Sequence, residues 1–156
     1  MYLIRICFII GGLFMLSACN MNNANEGALE PTGNRDLELV KLSSEGVADQ
    51  NPSNQAKELL SNHEEVTGVR AVNHDKELLV AVDVAHHERF GLDNIEKKLR
   101  KKTKKNFSNL NVTLSTDQKI LLELEQLEKA IQEKNISNKE LQKRIEKLKK
   151  LSKAET

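Results

Sequence analysis

The sequence predicts an α+β fold: a small α-β-β-α-β domain with a three-stranded mixed sheet, followed by two C-terminal helices. Two runs rich in β-branched residues flank a polar stretch at 73–76, and a lysine-rich amphipathic segment separates the second run from a third. Two further segments, with apolar residues three and four apart, close the chain. Residues 1 to 18 read as a targeting segment, and what remains of the 156 residues suffices for one ordinary domain.

Pro52 and Ser53 open the first helix, in which Ala56, Leu59 and Leu60 share a face before His63. Val66 to Val72 is β-branched and runs into Asn73-His74-Asp75-Lys76, a polar turn. Glu77 to Ala85 then alternates, with Leu78, Val80, Val82 and Val84 on one side, so the two runs form a β-hairpin. After Gly91, Asp93 and Glu96 have capping-box spacing, and Ile95 and Leu99 mark the buried face of a helix ending near Lys105. Val112 and Leu114 alternate in a short third strand, which the helical crossover predicts to be parallel to the second with a right-handed connection. Helices one and two then cover one face of the sheet, and the other face must be covered or partnered.

Ser115 and Gln118 have the spacing of a capping box that opens a longer helix through Ile120, Leu124, Leu127 and Ile131, with a stop near Asn135. Ser137 and Glu140 form another before Leu141, Ile145, Leu148 and Leu151. Each stripe lasts only about two heptads, so packing on the sheet or an antiparallel helical hairpin is expected rather than a coiled coil. An undocked last helix would offer its stripe to a partner.

The N-terminus reads MYLIRICFIIGGLFMLSAC, with Arg5 as a short positive region and an apolar run from Ile6 to Leu16. That run is short for a bilayer span and suits a secretory signal. It ends in Leu16-Ser17-Ala18-Cys19, which resembles a bacterial lipobox: an aliphatic residue, two small ones that fit a peptidase cleft, and a cysteine whose thiol becomes a thioether. Cleavage is expected between Ala18 and Cys19, with a diacylglyceryl group on Cys19. Two acyl chains, at roughly 0.8 kcal/mol per buried methylene, hold far more firmly than one. Cys7 is removed with the signal, so neither a disulfide framework nor a cysteine metal cluster is expected.

Residues 19–51 read as a flexible, solvated tether with few apolar residues, in which Leu37 and Leu39 form a weak apolar pair that could dock. The folded domain is placed at 52–134 and the last helix at 135–156. Residues 20–65 carry nine acidic and three basic side chains, whereas Glu96 to Lys105 holds one acidic and seven basic ones. Lys97, Lys98, Arg100, Lys101, Lys102, Lys104 and Lys105 are therefore the candidate contact with an anionic surface, at about 1 kcal/mol per cation near a charged leaflet. The competing reading is a solvated outer face.

Export and the scarcity of aromatics, with only Phe90 and Phe107 beyond the signal, speak against a nucleic-acid partner. His86-His87-Glu88 and the carboxylates Asp75, Glu77 and Asp83 are the candidates for catalysis or metal binding, but no HExxH, GxSxG or phosphate-loop spacing accompanies them. No cofactor or metal is expected. A hydrolase using Asp83 with His86 or His87 would require these groups to converge in a closed pocket.

The lipobox, the Asn-rich tether, the Val69 to Val72 and Leu78 to Ala85 strands, the lysine-rich helix and the Asn111 to Ser115 strand resemble the YhcN/YlaJ family of sporulation lipoproteins. The resemblance covers roughly residues 1 to 134, with the helix from Asn138 outside it. It implies a membrane-anchored lipoprotein of the spore envelope, at the inner spore membrane of a Gram-positive endospore former, with a part in germination or outgrowth and no known enzymatic activity. The αββαβ order is also similar to ring-building domains of secretion and sporulation channels, in which an uncovered sheet face would mediate self-association.

Overall fold

Alternation along a central strand decides which side chains meet which helices. The computed structural model describes residues 37, 39–43 and 46–154, so the signal, Cys19 and most of the tether lie outside it. The elements are α1 (Asn51–Ser61), β1 (Val66–His74), β2 (Glu77–Val84), a 3-10 turn (His86–Gly91), α2 (Leu92–Asn106), β3 (Asn111–Ser115), α3 (Gln118–Gln132) and α4 (Asn138–Ala154). The sheet order is β1-β2-β3, with β1 antiparallel and β3 parallel to β2. This is the mixed α+β architecture the sequence predicts.

Leu78, Val80, Val82 and Val84 face one way and meet Ala56 and Leu60 of α1 and Ile95 and Leu99 of α2. Leu79 and Ala81 face the other way, against Ile120, Leu124, Leu127 and Ile131 of α3 and Leu141, Ile145 and Leu148 of α4. Two apolar layers thus sandwich the sheet. The second face needs no outside partner, and the stripe of the last helix is docked rather than presented. Self-association through an open sheet face therefore loses its surface.

Several local expectations change. Asn73 and His74 belong to β1, and the hairpin turns on Asp75 and Lys76 alone, Asp75 taking a φ of 51°. Aspartate tolerates this left-handed conformation better than most residues. Asp93 and Glu96 form no capping box: α2 starts after Gly91 without a side-chain cap, and Glu96 bonds Arg100 and Thr116 instead. The cap of α3 is Asp117, whose carboxylate accepts from Ile120 N at 2.9 Å, while the Ser115 hydroxyl accepts from Asp117 N. At the end of α3, Lys134 adopts a φ of 56° and Asn135 N donates to Ala130 O, a Schellman closure that ends the helix with lysine where glycine is usual. Ser137 does cap α4, accepting from Glu140 N.

The expected tether, 19–51, contributes to the fold at its C-terminal end. Leu42 is 5 % exposed within the α3/α4 layer, and Val40 and Val47 pack beside it. Asn54 clamps the Leu42 backbone with both ends of its amide, accepting from N and donating to O, each at 2.9 Å. Gln50 does the same to Asn73 on the outer edge of β1: Oε1 accepts from Asn73 N at 3.2 Å and Nε2 donates to Asn73 O at 2.8 Å. The pattern is that of a neighbouring strand, supplied by one side chain.

Further along the same edge, Ala71 N donates to Glu128 Oε1 of α3 at 3.0 Å. That oxygen also accepts from Lys57 Nζ of α1 at 3.1 Å, and Lys57 reaches the Val40 carbonyl as well. Arg70 adds weaker contacts to Glu128 and Glu125, at 3.5 and 3.4 Å. Lys57 is 1 % exposed and Glu128 2 %. Burial lowers the Lys57 pKa despite Glu128 beside it, and burial raises the Glu128 pKa despite Lys57, the Ala71 amide and Arg70. Both shifts oppose ionisation, so desolvation outweighs attraction within the pair.

Each single substitution, Lys57→Met or Glu128→Gln, is expected to cost about 3–5 kcal/mol, because each strands a buried partner. The double variant is expected to lose much less, since an amide at 128 still accepts from Ala71. Urea unfolding of the three variants measures this, and additive losses would contradict it. A second test concerns Glu77, which Lys149 of α4 and Asn111 both contact. Burial pushes its carboxyl up, but those hydrogen bonds outweigh burial and hold the pKa below 4.5. A depressed acid stabilises the fold above its unfolded pKa, and that contribution disappears as pH falls through the folded value. The melting-temperature gap between wild type and Lys149→Met is therefore expected to shrink below about pH 4.5; a gap constant down to about pH 3 would refute it.

Candidate membrane-facing site

Helix α2 owes its position to one narrow apolar stripe. Ile95, Leu99 and Thr103 are buried against the sheet, and the Thr103 hydroxyl donates back to Leu99 O at 2.8 Å. Phe107, also buried, follows as the C-cap, with its N–H on Thr103 O. At 100° per residue, Lys97, Lys101, Lys104 and Lys105 fall on the opposite side of the helix, and all four are exposed.

The structure divides the seven basic residues of the predicted contact into two groups. Lys98 reaches Glu65 at 2.6 Å, and its hydrogen bond is the main reason that the Glu65 pKa lies below its ordinary value. Arg100 pairs with Glu96 and donates to the Leu114 carbonyl at 3.1 Å, which ties α2 to β3. Lys102 Nζ lies 2.8 Å from His63 Nε2. Burial and then the Lys102 charge lower the His63 pKa, so the imidazole is neutral at pH 7 and accepts from the ammonium. Lys98, Arg100 and Lys102 therefore hold α2 to the rest of the domain. Among the described residues, Lys97, Lys101, Lys104 and Lys105 have no ion pair. They form one outward row of positive charge.

Phe90 was not singled out by periodicity. It is the last residue but one of the 3-10 turn between β2 and α2, in which no residue is buried, and its relative exposure is 105 %. A phenylalanine left in water forgoes about 1.5–3 kcal/mol of burial. The sequence signal available was its rarity: beyond the signal segment it shares aromatic character only with Phe107, which the core takes.

The groups considered for catalysis do not converge. Asp83 accepts from Gln118 at 2.6 Å and lies 3.9 Å from Arg89. The His87 ring is 80 % exposed and faces Glu88, and His86 is exposed as well. Glu77 starts β2 and Asp83 nearly ends it, ~20 Å apart along an extended strand. Asp75 is 75 % exposed and faces His74. Among the described residues, no three His, Cys, Asp or Glu side chains gather in a way that would hold a metal ion. No described helix is long and apolar enough to cross a membrane. Cys19 and Ala18 lie outside the described residues.

No curated protein and no solved structure matches the chain. A family model described as sporulation lipoprotein YhcN/YlaJ matches residues 20–149. The match extends well into α4, which the sequence resemblance left outside the pattern, and agrees with the burial of Leu141, Ile145 and Leu148. Spanning most of the chain, and all of the helices and strands but the end of α4, it makes this protein a member of the YhcN/YlaJ family of sporulation lipoproteins.

Proposed function

We propose that the protein is a lipid-anchored, non-enzymatic interaction module of the spore envelope, held at the inner spore membrane and contributing to germination or outgrowth. Cys19 carries the lipid after cleavage at Ala18, the residues before Leu37 serve as the leash, and the domain meets an anionic surface through α2. The observation that carries this is the outward row of Lys97, Lys101, Lys104 and Lys105, unneutralised within a domain that pairs its other α2 cations. Family membership supports the lipoprotein reading, and the match begins one residue after Cys19. The surface disposition of Asp83, His86 and His87 supports the non-enzymatic one.

Cys19→Ala is expected to abolish incorporation of labelled fatty acid and to release the protein from the membrane fraction of sporulating cells. Retention without label would sink the anchor. Reversing the lysine row (Lys97, Lys101, Lys104 and Lys105 to Glu) should weaken binding of the unacylated chain to anionic vesicles by a hundredfold or more, on the order of 1 kcal/mol per cation. The effect should fade in high salt. Unchanged flotation with such vesicles would show that the row is only a solvated face.

A further inference from the structure

We propose that Phe90 is a membrane insertion point: the turn His86–Gly91 rests at headgroup level and the phenyl ring enters the boundary of the acyl region, while the α2 lysines engage anionic headgroups. This rests on the anchoring reading above but names a contact that the reading does not require.

The ring is fully exposed on a turn pinned at its base, where Ala85 N donates to Glu65 O and Glu88 N to Ala85 O, each at 2.9 Å. It is thus a supported projection. From His86 to Lys105 the chain carries eight basic and three acidic side chains; of the acidic ones Glu96 pairs with Arg100, while Glu88, beside His87, and Asp93, in the first turn of α2, are open to solvent and outnumbered by the cations. An aromatic beside a row of unneutralised lysines is complementary to an anionic leaflet, whose interface accepts aromatic rings and whose charge attracts cations.

Contact size favours the same partner. The other large exposed apolar residue among those described, Leu122, sits on α3, across the sheet from α2, so no extended apolar patch surrounds Phe90. One ring and a lysine row fall far short of the roughly 800 Å² per partner that a stable protein interface needs. A bilayer needs no matching pocket. A domain already tethered at an effective concentration in the millimolar range needs only a weak second contact to lie down on it.

The chain contains no tryptophan, so Phe90→Trp introduces a single reporter at the site. The acylated variant would be reconstituted into phosphatidylcholine vesicles with and without phosphatidylglycerol, with Leu122→Trp as the control. With phosphatidylglycerol, the probe at 90 should shift to the blue and be quenched by lipids brominated high on the acyl chain, while the probe at 122 stays as in water. A vesicle-bound protein whose probe at 90 remains water-like overturns insertion and leaves the anchor intact; failure to float overturns the anchor. A second arm is independent of acylation. In the chain from Asn20 onward, which keeps every described residue, Phe90→Ala should weaken partitioning onto phosphatidylglycerol vesicles roughly tenfold. Equal partitioning would overturn the proposal whatever the state of Cys19.

Discussion

The outer edge of β1 is the constraint on which the rest of the fold depends. An edge strand presents backbone N–H and C=O groups that must find partners or water, and an unsatisfied buried amide costs about 1–3 kcal/mol. Here Gln50 and Glu128 supply the partners from side chains, at Asn73 and Ala71. Lys57 shares the same Glu128 oxygen, so one carboxyl group joins α1 to α3 around the margin of the sheet. These helices otherwise pack on opposite faces. The polar latch joins the two apolar layers and occupies that edge at Ala71 and Asn73, where a further strand would otherwise pair.

With both faces of the sheet covered and one edge latched, the surfaces available for contact are few. Helix α2 is held by Ile95, Leu99 and three paired cations, and this leaves its remaining lysines pointing outward as a group. A charge run that is half structural and half open is a different object from a uniformly solvated face. The first half fixes where the second half points, and the turn carrying Phe90 leads directly into the same helix.

Much of this architecture was legible because it follows from apolar period. The alternation of β2 and the spacing of Ile120 to Ile131 name the elements, and the crossover through α2 dictates a parallel third strand. What could not be read was carried by polar residues acting over long sequence distances. Asn73 looks like a turn residue until Gln50 and Ser53 are brought against it. Leu42 lies in a stretch that reads as a tether and is seated by contacts remote in sequence, with the second core layer around its side chain and Asn54 on its backbone. Lys57 reads as an exposed helix residue because its partner, Glu128, is remote in sequence. The capping boxes that spacing suggests at α2 and α3 do not form, because spacing alone cannot tell which of several polar residues precedes the first helical turn. The lysine row was visible as a cluster, but its division into paired and open members needed Glu65, His63 and Glu96 in place. Phe90 carried no periodic signal at all.

The grip of Asn54 on Leu42 has a mechanical side. If the polypeptide is moored through its N-terminal lipid, a pull from that side meets the folded body at Leu39 to Leu42, ahead of α1 in sequence. There the Lys57 bond to Val40, both Asn54 hydrogen bonds and the seated leucine side chain must yield before tension can pass along the backbone to Gln50. In a domain moored this way the load would enter α1 sideways, through the Lys57 and Asn54 side chains, rather than along its backbone from Asn51.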